Sequence, residues 1–179
     1  MNKIIISGFG GQGVVLASNV LAQTALAQEK NITAMVSYGA EMRGGTAHCM
    51  ITISDKEIAS PVFEKPNTVL ILNQPSLDKF EDKVEKEGLL VLNSSLTERD
   101  PIRTDIESIK IPATEIATEL GNVKIANMVL LGAFIQKTNL IDLNKTIEIL
   151  PKAFPKNKQD LIEINIKALK KGAELVLKN

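Results

Sequence analysis

The chain has 179 residues, which suits one globular domain and leaves little room for two. Its 21 Lys and Arg residues balance 21 Asp and Glu residues, and only 3% of its residues are aromatic. This composition argues against nucleic acid or an anionic membrane as the main partner, because both select clustered positive charge and single strands need stacking surfaces. One cysteine, Cys49, excludes an intrachain disulfide and a cysteine-ligated iron–sulfur cluster within the chain. Glycines interrupt the apolar N-terminus before signal length, so we expect a cytoplasmic protein.

Short apolar strands alternate with helical segments along the chain. The hydrophobic pattern predicts strands over residues 4–6, 33–38, 47–53, 68–72, 89–92 and 106–111. It predicts helices over residues 14–28, 76–86, 112–120, 124–137, 144–154 and 159–178, with Ser76 as the N-cap of the second helix. Unbroken apolar strands alternating with helices indicate a parallel sheet covered on both faces.

A glycine-rich loop, residues 8–13, lies between the first strand and the first helix. Gly8, Gly10 and Gly13 fit the pattern G-x-G-x-x-G, whose glycines let phosphates approach the backbone N–H groups of a helix N-terminus. The motif predicts a dinucleotide-binding enzyme. That fold also needs an acidic residue about 20 residues further on, at the end of the second strand. Residues 36–38 contain none, so glycines that serve close packing or contact with another chain fit the motif as well.

A second glycine-bearing loop, residues 38–45, follows the second strand. We expect its tip near the first loop, because both leave the carboxyl ends of adjacent parallel strands. Arg43 can present its guanidinium to a carboxylate or a phosphate, and Glu41 can orient it or bind a partner. A solvent-exposed turn with an incidental ion pair fits these residues too.

The two loops together are more specific than either one. Gly8-Phe9-Gly10-Gly11-Gln12-Gly13 followed by Tyr38-Gly39-x-Glu41-x-Arg43-Gly44-Gly45-Thr46-Ala47 resembles the gamma subunit of the 2-oxoacid:ferredoxin oxidoreductases. The resemblance spans nearly the whole chain, as a single domain over residues 1–179, and includes Ser60-Pro61, residues 73–78, Asn127, Gly132, Asn165, Ala168 and Gly172. The second loop and the Asn73-Gln74-Pro75-Ser76 stretch are most similar to the 2-oxoglutarate branch of the family.

The resemblance implies an α/β fold: a three-layer α/β/α sandwich with a mostly parallel, mixed sheet and C-terminal helices. It implies a multi-subunit enzyme that oxidatively decarboxylates a 2-oxoacid, transfers the acyl group to coenzyme A and passes electrons to ferredoxin or flavodoxin. The complex would use thiamine diphosphate, Mg²⁺ and Fe–S clusters held by other chains or domains. The expected partners are alpha, beta and ferredoxin-like delta subunits, and ferredoxin through the complex.

The chain lacks the groups for this chemistry, because it has no Gly-Asp-Gly with a downstream Asn and only one cysteine. We therefore expect a non-catalytic subunit that binds no cofactor alone, with its low-charge first fifty residues against companion subunits. The candidate cofactor-binding residues lie in the two loops, near the path of coenzyme A: Gly10, Gly11, Gln12, Gly13, Glu41, Arg43, Gly44 and Gly45.

Three other interpretations stay open. The chain could be a free-standing dinucleotide-binding oxidoreductase, a purely structural assembly protein, or a member of the pyruvate or indolepyruvate branch of the family. His48 on the third strand is a candidate base, although packing is the simpler role. We expect Cys49 to be a small buried apolar residue rather than a nucleophile.

Overall fold

The computed structural model describes residues 1–38, 46–154 and 156–177 and arranges them around one mixed β-sheet. The strands are β1 (Asn2–Phe9), β2 (Asn31–Tyr38), β3 (Thr46–Ser54), β4 (Thr68–Ile71), β5 (Leu89–Asn93) and β6 (Glu107–Ile111). The α-helices are α1 (Val14–Ala27), α2 (Gln74–Phe80), α3 (Ala113–Glu119), α4 (Ala126–Thr138), α5 (Leu143–Ala153) and α6 (Ile162–Leu177). Short 3-10 turns cover Glu81–Lys83, Ser94–Leu96, Val123–Ile125 and Lys156–Leu161.

The strand order is β2-β3-β1-β4-β5-β6, and β3 alone runs against the direction of the other strands. A parallel crossover needs about a dozen residues or more. The stretch 39–45 between β2 and β3 is shorter than that, so β3 returns antiparallel. It then inserts between β2 and β1. The expectation that the first two strands are neighbours is therefore wrong, whereas the mostly parallel, mixed sheet is confirmed.

Helices cover both faces of the sheet, because successive strand residues point to opposite sides. Ile4 and Ile6 of β1 belong to the large apolar cluster that includes residues of α1, α4, α5 and α6. Ile5 belongs to a smaller cluster with Leu77 and Phe80 of α2. The predicted α/β architecture with C-terminal helices is confirmed.

The apolar helix α4 is buried on both sides, by the sheet and by α6. Its residues from Ala126 to Ile135 are all buried. A Cβ added at Gly132 would overlap the carbonyl of Leu169, and one at Gly172 would overlap the carbonyl of Val129. These two glycines therefore let the backbones of α4 and α6 approach closely.

The second predicted helix differs from the structure at both ends. Asn73, not Ser76, caps α2: its side-chain oxygen accepts the Ser76 N–H at 3.0 Å, and Pro75 lies in the first turn, where it costs no hydrogen bond. The helix does not continue to residue 86, because Glu81 turns into the protein and Val84 adopts an extended conformation with its side chain buried. The chain therefore leaves the helix to complete the smaller apolar cluster.

Candidate functional site

Loops from several strands meet at one end of the sheet, where the parallel strands terminate. Because β1, β4 and β5 are parallel, the glycine loop after β1 lies beside the segments that follow β4 and β5. The start of β3 lies at the same end of the sheet, since Thr46 is paired with Phe9 and Ala47 with Gly8.

The second predicted loop begins and ends at this end of the sheet as well, because Tyr38 at the end of β2 is paired with Ala47. Both flanks of this loop therefore lie near the glycine loop. The reason is that β3 lies between β2 and β1, not that β2 pairs with β1. The candidate residues of the loop itself lie outside the described residues: Glu41, Arg43, Gly44 and Gly45.

The glycine loop turns the chain from β1 into α1 with two residues at positive φ. Gly11 has φ +96° and Gly13 has φ +77°, a region that L-amino acids with a Cβ rarely adopt. The Gln12 N–H donates to the Phe9 carbonyl at 3.1 Å and closes the turn. A Cβ at Gly10 would meet nothing within 4 Å, and Gly10 is not among the residues with positive φ. The fold itself therefore requires glycine at 11 and 13 but not at 10.

A row of side-chain amides fixes this loop to its neighbours. The Gln12 side-chain oxygen accepts the Phe9 N–H at 2.6 Å and the Asn73 side-chain amide at 2.8 Å. Asn93, at the end of β5, donates to the Leu72 carbonyl at 3.2 Å and to Thr114 at 2.9 Å. Buried amides of this kind rigidify a loop when their hydrogen bonds are satisfied.

The first turn of α1 is held by a residue more than a hundred positions away in the chain. The Asn127 side-chain amide donates to the Gly13 carbonyl at 2.9 Å, and its oxygen accepts the Met128 N–H at 2.9 Å. Sequence reasoning assigned Gln12 to ligand binding and gave no structural role to Asn73, Asn93 or Asn127. For Asn73 and Asn93, the available signal was an asparagine directly after an apolar strand.

The N-terminus of α1 is suited to an anion. Gly13 provides no side-chain cap, and the first turn contains no acidic residue. The N–H groups of that turn and the helix dipole favour a negatively charged group there. Gly10 and Gly11 are exposed, so a ligand or another chain can approach the backbone of the loop.

Two cavities flank the glycine loop. A groove of about 610 Å³ extends from the loop between α1 and the outer strands β2 and β3. A crevice of about 140 Å³ lies on the other side, between Gly11 and Gln12 and the segments near Leu72, Thr114 and Lys124. The crevice lies between β1 and β4, where the order in which strands are added to the sheet reverses. Open α/β sheets bind ligands at such a position.

His48 and Cys49 lie on opposite faces of β3. The His48 ring packs on Phe80 with 5.1 Å between centroids, and burial together with Lys79 and Lys83 lowers the pKa of His48. Cys49 is buried, and this burial raises the pKa of its thiol. The neutral histidine and the protonated cysteine at pH 7 agree with the packing roles expected for them.

Acidic, histidine and cysteine side chains do not cluster into a metal site in the part of the chain that the structure describes. Residues 1–38, 46–154 and 156–177 contain no group of three or more His, Cys, Asp or Glu side chains that could hold a metal ion. A four-cysteine cluster would also need three more cysteines than the sequence has. Within the same residues, no helix is both long enough and apolar enough to span a membrane.

Comparison with known proteins shows relatives over almost the whole chain. Residues 3–175 match the family described as pyruvate ferredoxin/flavodoxin oxidoreductase. The 2-oxoglutarate synthase subunit KorC of Methanocaldococcus jannaschii is 35% identical over 176 residues, which cover 97% of this chain and 92% of that protein. The ketoisovalerate oxidoreductase subunit VorA of Methanothermobacter marburgensis is also 35% identical over 99% of this chain, but this chain spans only 37% of the VorA length.

The fold matches a solved structure of the same family. The keto/oxoacid ferredoxin oxidoreductase gamma subunit from Geobacter sulfurreducens PCA is 26% identical, covers 100% of both chains and gives a TM-score of 0.86. Together with the relatives above, this match agrees with the resemblance drawn from the two glycine loops. The chain belongs to the pyruvate ferredoxin/flavodoxin oxidoreductase family.

Proposed function

We propose that this chain is the gamma subunit of a complex that converts 2-oxoglutarate, coenzyme A and two oxidised ferredoxins into succinyl-coenzyme A, CO₂, a proton and two reduced ferredoxins. The observation that carries the proposal is an anion-suited, preformed glycine loop in a chain without catalytic groups in its described part. The similarity to KorC over 92% of that protein favours 2-oxoglutarate among the family's oxoacids. The chain contributes to the reaction only within the complex, with alpha, beta and ferredoxin-like delta subunits as its companions.

In this proposal, thiamine diphosphate, Mg²⁺ and Fe–S clusters on the companion subunits supply the decarboxylation and electron transfer. The glycine loop and the N-terminus of α1 bind an anionic group of coenzyme A or of a companion subunit. Backbone N–H groups serve this purpose because they hold a phosphate or carboxylate without a titratable side chain. Arg43, two residues after Glu41, adds a guanidinium for the same anion.

The dinucleotide alternative loses support from the topology. In a dinucleotide-binding fold, the second strand lies beside the first and ends in the acid that binds the ribose. Here β3 occupies that position and runs antiparallel to β1, and its first residue, Thr46, carries no acid. Titration of the purified chain with NAD(P) or a flavin would detect binding if this alternative were correct after all.

Substrate choice is testable in the complex purified with its companion subunits. We expect coenzyme A-dependent reduction of a dye or ferredoxin with 2-oxoglutarate at a kcat/KM well above that with pyruvate or 2-oxoisovalerate. A preference for either of the other oxoacids would refute the assignment of the branch. Activity of the isolated chain would refute the proposed non-catalytic role.

Arg43 provides the direct test of the loop. Replacing it with alanine (Arg43→Ala) should raise the KM for coenzyme A about tenfold or more, or loosen assembly, because a charge-assisted hydrogen bond contributes about 1.5–3 kcal/mol. Lys171→Ala is the matched control, since Lys171 is an exposed cation on α6. Kinetics and co-purification equal to those of the control would contradict the role of Arg43.

A further inference from the structure

Strand β2 forms one edge of the sheet, and within residues 1–38, 46–154 and 156–177 it lacks the usual protection against strand pairing. It pairs only with β3 among the described strands, and it is eight residues long. Its sequence, NITAMVSY, contains neither a charge nor a proline. Natural edge strands are normally blunted by charged residues, prolines, bulges or a covering element, because the unpaired N–H and C=O groups otherwise recruit another strand.

The opposite edge has the protection that β2 lacks. Strand β6 is five residues long and exposes Glu107 and Lys110, which form ion pairs with Lys137 and Asp100. The two edges of one sheet therefore differ in length and charge. Of the two edges, β2 is therefore the better candidate for contact with another polypeptide.

Exposed apolar side chains continue from the edge onto both faces of β2. Val36 is 39% exposed and faces the α1 side, because it is paired with Cys49 of the large apolar cluster. Met35 is 37% exposed and faces the other side, because it is paired with Met50, which packs against the smaller cluster. Both faces of one uncharged strand are thus partly open to solvent, as expected for a surface that is covered in an assembly.

A groove runs along the α1 side of this strand. Val15 of α1, 43% exposed, lines it together with Ala34, Val36 and Phe154. None of the described residues that line the groove is charged. Along β2, away from the glycine loop, the matching occupant is therefore an uncharged segment with apolar side chains, since a charged one would lose its hydration there without gaining a partner.

We propose that an extended, uncharged segment of a companion subunit pairs with β2 as a seventh strand and inserts apolar side chains into the groove between α1 and β2. The inference rests on the proposed function, because it assumes that the chain works in a complex. Main-chain hydrogen bonds to β2 provide the attachment, and alternate side chains of the added strand reach the groove.

The length of the relatives favours a companion chain as the occupant. This chain spans 37% of the length of the two VorA relatives, so in those proteins the corresponding region is part of a much longer polypeptide. A domain with a permanent neighbour is expected to carry an apolar, core-like contact surface, as obligate interfaces do.

A second copy of this chain fits the surface less well. Antiparallel pairing of β2 with β2 of another copy around a two-fold axis perpendicular to the sheet would place both grooves on the same face. The two grooves would then lie side by side, and Ala34 and Val36 of each copy would line the combined groove rather than fill it. A companion strand fills the edge and the groove at once.

Hydrogen exchange of the wild-type protein tests strand addition directly. In the assembled complex, every second amide of β2 points away from β3 and should exchange at least about tenfold more slowly than in the chain alone. Equal exchange rates in the complex and in the chain alone would overturn the proposal. A chain that is dimeric alone, with these amides already protected, would overturn it in favour of a second copy.

A matched pair of lysine substitutions tests the groove. Val36→Lys places a charge where the proposed segment inserts, whereas Ser108→Lys places the same charge on the exposed edge strand β6. We expect Val36→Lys to lower recovery of the companion subunits at least about tenfold, with Ser108→Lys unchanged and the melting temperatures of both variants close to that of the wild type.

The outcomes separate this proposal from the proposed function. Equal recovery with both variants would overturn the docking proposal and leave the proposed function intact. A wild-type chain that recovers no companion subunit would instead refute the proposed function. If Val36→Lys lowers the melting temperature, the hydrogen-exchange comparison of the wild type decides the matter.

Discussion

Two glycines three residues apart, Gly10 and Gly13, should respond in opposite ways to the same substitution. Gly13 has φ +77°, and a Cβ there would overlap the side chain of Asn127. At Gly10, a Cβ would meet nothing within 4 Å. We therefore expect Gly13→Ala to reduce the stability of the chain and Gly10→Ala to affect only its binding.

The cost of Gly13→Ala follows from its two contributions. A residue with a Cβ in the left-handed region costs about 1–2 kcal/mol. Displacing the buried Asn127 side chain breaks its hydrogen bonds to the Gly13 carbonyl and the Met128 N–H, at about 1 kcal/mol each. The total is about 3–4 kcal/mol, which for a chain of this size lowers the melting temperature by on the order of 10 °C.

Gly10→Ala should leave the stability of the chain unchanged and weaken binding in the complex. Its free energy of unfolding should stay within about 0.5 kcal/mol of the wild type, because an exposed methyl group touches nothing in this chain. In the complex, the same methyl group should raise the KM for coenzyme A or loosen assembly, if a ligand or a companion approaches the backbone of the loop as proposed.

Thermal unfolding of the isolated variants and steady-state kinetics of the reconstituted complex measure the two effects separately. Equal losses of stability in Gly10→Ala and Gly13→Ala would refute the steric reasoning. A Gly10→Ala complex with wild-type kinetics and assembly would show that nothing approaches the loop at this residue.

Two further predictions concern groups away from the loop. Glu81 is buried and accepts hydrogen bonds from Arg99 and from the N–H groups of Ile102 and Arg103, so Glu81→Gln should cost about 1–3 kcal/mol in urea unfolding; an unchanged urea midpoint would contradict this role. Burial and the neighbouring lysines hold the pKa of His48 below its ordinary value of 6.5. The unfolded chain therefore binds a proton that the folded chain rejects, and the free energy of unfolding should fall as the pH drops through 6.5. His48→Asn should remove this part of the slope, and a variant with the same slope as the wild type would refute the assignment.

The sequence predicted the elements well where apolar periodicity was strong. The predicted strands and most helix positions agree with the structure, since buried strands such as β4 and β5 need unbroken apolar runs. The neighbour of β1 was not predicted, because pairing depends on connection length and twist rather than on the composition of a strand. The hairpin β2–β3 could have been inferred only by noticing that residues 39–45 are too few for a crossover.

For the candidate site, too, the sequence predicted local features and missed contacts between residues that are distant in the chain. The left-handed glycines 11 and 13 belong to a local pattern, and the sequence located them. The side chains that hold this turn, Asn73 and Asn127, come from distant parts of the chain, and no local pattern indicates that they contact it. Sequence reasoning gave Gln12 a ligand-binding role and missed its structural one, in which the side-chain oxygen accepts the Phe9 N–H and the Asn73 amide.

Under the proposed function, the chain gains from a loop that is already rigid before its partner arrives. Binding to a mobile loop costs about 0.5–1.5 kcal/mol for each side chain that must be ordered, besides the backbone. Here the Gln12 and Asn127 amides hold the loop within the free chain, so the α1 N–H groups are aimed before contact. The binding free energy of an anion is then retained in the complex rather than used to order the loop. Rigidity at the loop and an open edge at β2 are consistent with one proposed role, which is to present two preformed surfaces to companion subunits.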